Sequence, residues 1–267
     1  MTLDSKKPTI MIFSPHIDDV EFGLPFFYVR ALTLGFNIVE VIMSNGELGT
    51  HELEFKGKTL KKIRIQELKK SIEVFTYYTK NQTRVIRTNF IDGHLPLNKN
   101  AFSKVVKIIR DESPDLILAP DPWYILDHHP DHLNTGRLVI FALKQIEPSS
   151  LPRKIFYYYT FRSNRFIRVH WNDKEIIFEA YAQFKSQVSP LQRNYLKLIY
   201  LYLYSRRYFK SGYFTENFRE QPVRKDNIEF PKKLNLLQKF KYHFYRILTF
   251  SKAMQFQILT PKELGLE

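Results

Sequence analysis

Two stretches of this 267-residue chain bring imidazoles and carboxylates close enough together to do chemistry. Ser14 to Gly23, SPHIDDVEFG, offers His16, Asp18, Asp19 and Glu21 directly behind an apolar run. Asp127-His128-His129-Pro130-Asp131-His132 repeats those residue types more than a hundred positions later, behind the apolar run Leu116 to Pro120. A hydrolytic zinc takes three protein ligands, commonly neutral imidazole and carboxylate, and leaves a position for water. His16, Asp19 and His132 would supply that set to zinc or another divalent metal. The ion would bring the pKa of its water to about 7 and polarise a carbonyl. Asp18, beside a ligand, would accept the water's proton, and Asp131 would orient and charge an imidazole. Spacing alone leaves Asp18 and Asp19 interchangeable and His128 a rival of His129. It makes Glu21 a helix-start residue or an outer acceptor rather than a ligand. Taken singly, the first cluster reads equally well as a solvated turn ahead of a capped helix.

Together the clusters resemble the signatures of the LmbE-like (PIG-L) de-N-acetylase family, PHxDDxE after the first strand and HPDH before a later helix. Here they stand as Pro15-His16-Ile17-Asp18-Asp19-Val20-Glu21 and His129-Pro130-Asp131-His132. Ile17 takes the place of a usual proline, and Gly23-Leu24-Pro25-Phe26-Phe27 replaces a glycine-rich helix start; neither change removes a functional group. Weaker matches follow in order: Asn45-Gly46-Glu47-Leu48-Gly49, Arg64-Ile65-Gln66-Glu67, Asp92-Gly93, Lys185-Ser186-Gln187 and Gly212 to Phe218. The resemblance implies a zinc-dependent hydrolase that deacetylates N-acetylglucosamine units joined to inositol, lipid, another sugar or an acid. It favours Asp19 over Asp18 as ligand and makes Asp18 the general base. Protonated His129, preferred to His128 by the HPDH register, would stabilise the tetrahedral oxyanion or protonate the leaving amine. Arg64 and Asp92 would bind sugar hydroxyls, with Glu47 at the pocket border; the plainer alternative for each is a surface ion pair or turn residue. A metal-dependent amidohydrolase acting on another N-acyl substrate remains the second reading, and a basic membrane- or nucleic-acid-binding module with a structural metal the third.

The elements that must position these residues alternate strand and helix, which predicts an α/β, Rossmann-like, mainly parallel sheet with helices on both faces. Strands are expected at 8–14, 37–43, 84–87 and 115–119, with helices near 20–34, 58–78, 102–109 and 133–145. In a parallel sheet, ligands bind at the carboxyl ends of the strands, where both clusters would lie. Extended segments at 154–159 and 166–170 and a helix from 172 to about 184 would extend the sheet at one end. The stretch 191–210 reads as an aromatic-striped helix, packed in the core in preference to a membrane role. The stretch 234–250 is a basic amphipathic helix, either interfacial or packed on a partner subunit. A domain over residues 1–219 and a basic, aromatic-rich helical extension over 220–267 follow from this division.

Cysteine is absent, which excludes disulfides and thiolate ligands and leaves His, Asp and Glu to hold a metal. Residues 151–267 carry 22 Lys+Arg against 9 Asp+Glu, so +13 of the net +14 lies there. A basic half suits a small-molecule or lipid-linked amino-sugar conjugate that is anionic, or an anionic membrane surface. Nucleic acid is disfavoured, because no recognition signature accompanies the charge. The first ten residues lack a signal-peptide core and no apolar run is long enough to span a bilayer, so a cytoplasmic chain is expected, with peripheral membrane contact and oligomerisation left open.

Overall fold

The computed structural model describes residues 7–50, 52–187, 198, 201–202, 204–205, 208–223 and 234–255. In chain order the elements are β1 (Thr9–Ser14), α1 (Asp19–Gly23), α2 (Pro25–Thr33), β2 (Asn37–Ser44), α3 (Lys58–Thr79), β3 (Thr83–Phe90), α4 (Lys99–Glu112) and β4 (Leu116–Pro120). They continue with α5 (Pro130–Leu143), β5 (Lys154–Tyr158), β6 (Arg165–Arg168), α6 (Lys174–Tyr181), α7 (Tyr208–Ser211), β7 (Thr215–Pro222) and α8 (Leu236–Gln255). Seven strands form one sheet in the order β3-β2-β1-β4-β5-β7-β6. The first five are mutually parallel, as the alternation predicts, and β7 runs antiparallel to both β5 and β6.

β1 occupies the middle of the parallel part, and all six of its residues are buried. Alternate side chains of a strand point to opposite faces, so Ile10 and Ile12 join one core and Met11 and Phe13 the other. The first core packs α1, α2, α3 and α6 on the sheet; the second packs α4 and α5. The chain leaves β1 for β2 on one side, while β4 pairs on the other. That divergence opens a crevice at the carboxyl ends of β1 and β4, the switch point at which open α/β sheets bind ligands.

Several expectations shift in detail. The helix at 20–34 is two helices, because Pro25 lacks an N–H and its ring disfavours the α conformation at Leu24, which sits at φ −153° and ψ 38°. The strand at 154–159 ends at Tyr158, since Tyr159 turns into the left-handed region at φ 52°. The strand at 166–170 is Arg165–Arg168, and the helix at 172–184 shortens to α6 behind a 3-10 turn at Trp171–Asp173. The helix at 191–210 falls largely outside the described residues, with α7 at its end.

Gly136 fixes how closely α5 approaches β4: a methyl group there would lie 2.4 Å from the Pro120 carbonyl oxygen. Gly136→Ala gains about 1 kcal/mol of helix propensity but overpacks against backbone, which costs up to about 3 kcal/mol. A net loss of about 1–2 kcal/mol in urea unfolding is expected. Beneath the sheet edge, Glu40 of β2 accepts a hydrogen bond from Ser14 Oγ at 2.9 Å. Burial pushes its carboxyl up to about 8, so the folded protein holds this proton where the unfolded chain has released it. Stability from Glu40 is therefore present below the unfolded pKa and is lost as the pH rises from about 5 to 8. Thermal melts of Glu40→Gln across that range are expected to show a smaller loss than the wild type.

Candidate metal centre

The loop after β1 is tied down before it presents its side chains. Ser44, at the end of β2, donates from both N and Oγ to the Pro15 carbonyl, at 2.9 and 2.8 Å. His16 N donates to Asp19 Oδ2 at 2.7 Å, closing the turn that starts α1. On the other side of the crevice, Asp127 Oδ1 accepts from His129 N at 3.1 Å, and His129 caps α5 by accepting from Asp131 N at its Nδ1, 3.2 Å away. That bond leaves Nδ1 without a proton, so the neutral His129 ring carries its hydrogen on Nε2.

Three side chains converge across the crevice. His16 Nδ1 lies 3.1 Å from His132 Nε2 and 3.4 Å from Asp19 Oδ2, and His132 Nε2 lies 3.4 Å from Asp19 Oδ1. Metal–nitrogen bonds of about 2.0–2.1 Å at tetrahedral angles place ligand atoms about 3.3 Å apart, so this spacing suits one small cation. His132 Nδ1, buried and without a hydrogen bond, lies 3.5 Å from Asp127 Oδ2. Tyr159 donates to Asp19 Oδ1 at 3.1 Å and stacks on the His132 ring, 5.2 Å between centroids. Two further groups could hold a cation with His16: His129 with His132, and Asp92 with Asp131. His16 Nε2 lies 3.1 Å from Asp92 Oδ1 and 3.4 Å from Asp131 Oδ2.

Electrostatics follow from this crowding. Burial opposes charge on His16, yet Asp92, Asp131 and Asp19 hold its imidazole well above the ordinary value. Burial would likewise raise Asp19, but His132 and His16 keep its carboxyl well below the usual range. Asp92 is held low by His16 against the same penalty. Burial first, and then His16 and His132, push the His129 imidazole down to about 4. Asp18 goes the other way, raised by burial while Arg64 opposes the shift. Asp18 Oδ1 pairs with Arg64 Nη2 at 3.1 Å, and Oδ2 is buried without a hydrogen bond.

All nine residues singled out from the sequence come to this edge of the sheet, in two shells. His16, Asp19, His129, His132, Asp92 and Asp131 face one another, with Asp18 beside them on Arg64. Arg64 and Glu47, each 1% exposed, form the wall behind them. Arg64 runs under the Asn45–Gly49 turn and donates to the Gly49 carbonyl at 3.3 Å. A methyl group at Gly49 would overlap its guanidinium, which explains the glycine. Glu47 accepts from Asp92 N at 3.0 Å, and Asp92 accepts from Leu48 N at 3.0 Å, so the second and third strand ends lock each other. His128 turns away from the cluster, its ring 4.7 Å from Tyr242 of α8. Glu21, on the buried side of α1, accepts a hydrogen bond from Ser71 Oγ.

Sequence reasoning missed Tyr159 and the buried pair of Asp121 with Arg219. Asp121 accepts from Trp123 N and Tyr124 N, both at 2.9 Å, and from Arg219 Nε at 2.6 Å, pinning the loop after β4 to β7. Nothing local marks a partner 98 residues away, whereas the run Tyr157-Tyr158-Tyr159 at a strand end was a visible signal.

Fold and cluster together define a doubly wound α/β protein with a histidine- and aspartate-lined centre at its switch point. The family described as PIG-L, GlcNAc-PI de-N-acetylase, matches residues 11–143. Diacetylchitobiose deacetylase of Thermococcus kodakarensis is 29% identical over 217 residues, covering 74% of this chain and 78% of that protein. The structure of N,N'-diacetylchitobiose deacetylase from Pyrococcus horikoshii with its inhibitor superposes with a TM-score of 0.72 at 25% identity, covering 80% of this chain and 84% of that one. A 4-carboxy-2-hydroxymuconate hydratase from Pseudomonas putida superposes with a TM-score of 0.66 at 15% identity, covering 85% and 100%, a likeness of fold alone. Residues 11–143, which hold both clusters, match as a PIG-L family domain.

Asp131 gives the sharpest test of how the centre is built. Its two oxygens accept from Gly93 N at 2.7 Å and Leu95 N at 3.0 Å, holding the Asp92 turn in place. Asp131→Asn replaces one acceptor by a donor facing an N–H, which costs about 1–3 kcal/mol. Loss of an outer partner of a metal site typically weakens binding about 10–100-fold. Urea unfolding and zinc titration of the purified variant are expected to show both effects.

Proposed function

We propose that this chain is a metal-dependent hydrolase that removes the acetyl group from an N-acetylglucosamine-type conjugate. The observation that carries the reading is the convergence of His16 Nδ1, His132 Nε2 and the Asp19 carboxylate within 3.1–3.4 Å, in a chain whose residues 11–143 match the PIG-L family. His16, Asp19 and His132 would hold the metal, and an imidazole and carboxylate set favours zinc. When bound, such an ion supplies Lewis acidity, polarising a carbonyl oxygen and lowering the pKa of a water to about 7. The relatives named above act on diacetylchitobiose, which supports an N-acetylglucosamine substrate here.

The chain's own groups divide the remaining work. Asp18 Oδ2 has no hydrogen bond to give up and serves as proton acceptor. Burial raises that carboxyl, which favours taking up a proton, and Arg64 opposes the shift. As water adds to the amide carbon its proton passes to Asp18; the C–N bond then breaks, Asp18 returns the proton to the amine, and acetate leaves. His129 Nε2–H is a neutral donor for the developing oxyanion. The protonated form expected from the sequence is disfavoured by burial and by the neighbouring His16 and His132. Asp131 orients His16, while Arg64, Glu47 and Asp92 shape the wall on which the sugar would rest.

The experiment is amine release from a panel of N-acetylglucosamine conjugates and other N-acyl amides, with metal content measured alongside. Asp18→Asn is expected to keep its metal and lose about 10²–10⁴-fold in kcat. Turnover unchanged by that substitution would remove Asp18 from the base role. A metal-loaded wild type that releases amine only from non-sugar amides would move the substrate class to the second reading.

A further inference from the structure

α8 carries Lys239, Lys241, Arg246 and Lys252 and no acidic residue. Five of its large apolar side chains face solvent rather than the core. Leu236 is 86% exposed, Leu237 63%, Phe240 67%, Phe244 49% and Ile247 70%. At 3.6 residues per turn these five positions fall within an arc of about 100°. Lys239, His243 and Arg246 border that arc on one side and Lys241 on the other, all exposed. Tyr242 points the opposite way, onto His128. The stretch ahead of β7 repeats the combination: Leu198, Leu201, Tyr202 and Phe209 are exposed, and every charged residue from 191 to 210 is basic.

We propose that the apolar face of α8 docks on an anionic lipid bilayer, the helix lying in the plane of the headgroups with its flanking basic residues on the lipid phosphates. An amphipathic helix with a cationic flank and large apolar side chains on the opposite arc has the build of an interfacial segment. Charge decides against a second copy of the chain as the occupant. Two such helices would face each other with basic residues and no acid between them, on chains of net charge +14, whereas an anionic leaflet supplies the opposite sign. Docking is peripheral: among the described residues no helix is long and apolar enough to cross a membrane. The docking stands on exposure and charge alone. Its consequence rests on the hydrolase reading: through the contact of Tyr242 with His128, next to His129, α8 would bring the metal centre near the membrane surface and give it lipid-linked amino sugars.

The test is sedimentation of the full chain with vesicles of phosphatidylcholine, alone or mixed with phosphatidylglycerol, at low and high salt. Pelleting is expected only with the anionic vesicles and is expected to fall at high salt. Each basic residue at the surface is worth about fivefold in partition, so Lys239→Glu with Lys241→Glu should weaken binding at least about 25-fold. Leu237→Ser with Phe240→Ser removes two of the inserted side chains and should also release the protein. All four side chains are exposed, so both double variants should keep the wild-type circular dichroism and hydrolyse a soluble substrate as before, which separates loss of docking from loss of the enzyme. Wild type that ignores anionic vesicles, or variants that pellet like wild type, would overturn the proposal. A concentration-dependent dimer dissolved by the apolar variant, without vesicle binding, would also overturn it and assign the face to a second copy.

Discussion

Charge buried at the end of β1 must be cancelled locally, and the surrounding structure is arranged to do so. Asp18, Asp19, Asp92, Asp131 and Glu47 are all nearly inaccessible, a density of carboxylates that low-dielectric surroundings penalise heavily unless each is paired. His16 stands between Asp19 on one side and Asp92 and Asp131 on the other. Arg64 compensates Asp18, and backbone N–H groups of His16, Leu48, Gly93 and Leu95 bond to Asp19, Asp92 and Asp131. Within this paired set, His16 Nδ1, His132 Nε2 and the Asp19 carboxylate lie 3.1–3.4 Å apart, a spacing at which one small cation would take their lone pairs.

The fold makes that arrangement attainable because its members come from three strand ends and one helix start. β1 supplies His16, Asp18 and Asp19; the β2 and β3 turns supply Glu47 and Asp92; α5 supplies Asp131 and His132. Each turn is held by a neighbour rather than by itself, as Glu47 is bonded to Asp92 N and Asp131 to Gly93 N. Close approach of α5 at Gly136 brings its first turn down to the sheet edge. Asp121 and Arg219 anchor the long loop that leads to it, at the cost of burying an ion pair that breaks badly if either partner is lost.

Much of this was legible in the sequence, and for a physical reason. The buried strands read as apolar runs, SPHIDD follows β1 directly and HPDH opens the helix behind β4, so both motifs announce their chemistry and their place. β7 was not legible as a strand. Its burial pattern, with five of eight residues buried, has no alternation of apolar and polar residues, and Glu216 and Arg219 are buried through partners elsewhere in the chain. Arg64 illustrates the same limit. An arginine on an amphipathic helix reads as exposed, and only the glycines at 46 and 49, which leave room for its guanidinium, show that it lies inside. Contacts such as that of Tyr159 with Asp19 leave no mark on local spacing.

The chemistry at the end of β1 depends on which atoms hold the cation. X-ray diffraction from metal-loaded crystals, with anomalous scattering collected at the zinc edge, decides this directly. A single ion bonded to His16 Nδ1, His132 Nε2 and the Asp19 carboxylate is the result expected, with Asp18 beside it and unligated. An ion bonded instead to His16 Nε2 with Asp92 and Asp131, or no anomalous peak at the end of β1 in crystals soaked with zinc, would contradict it.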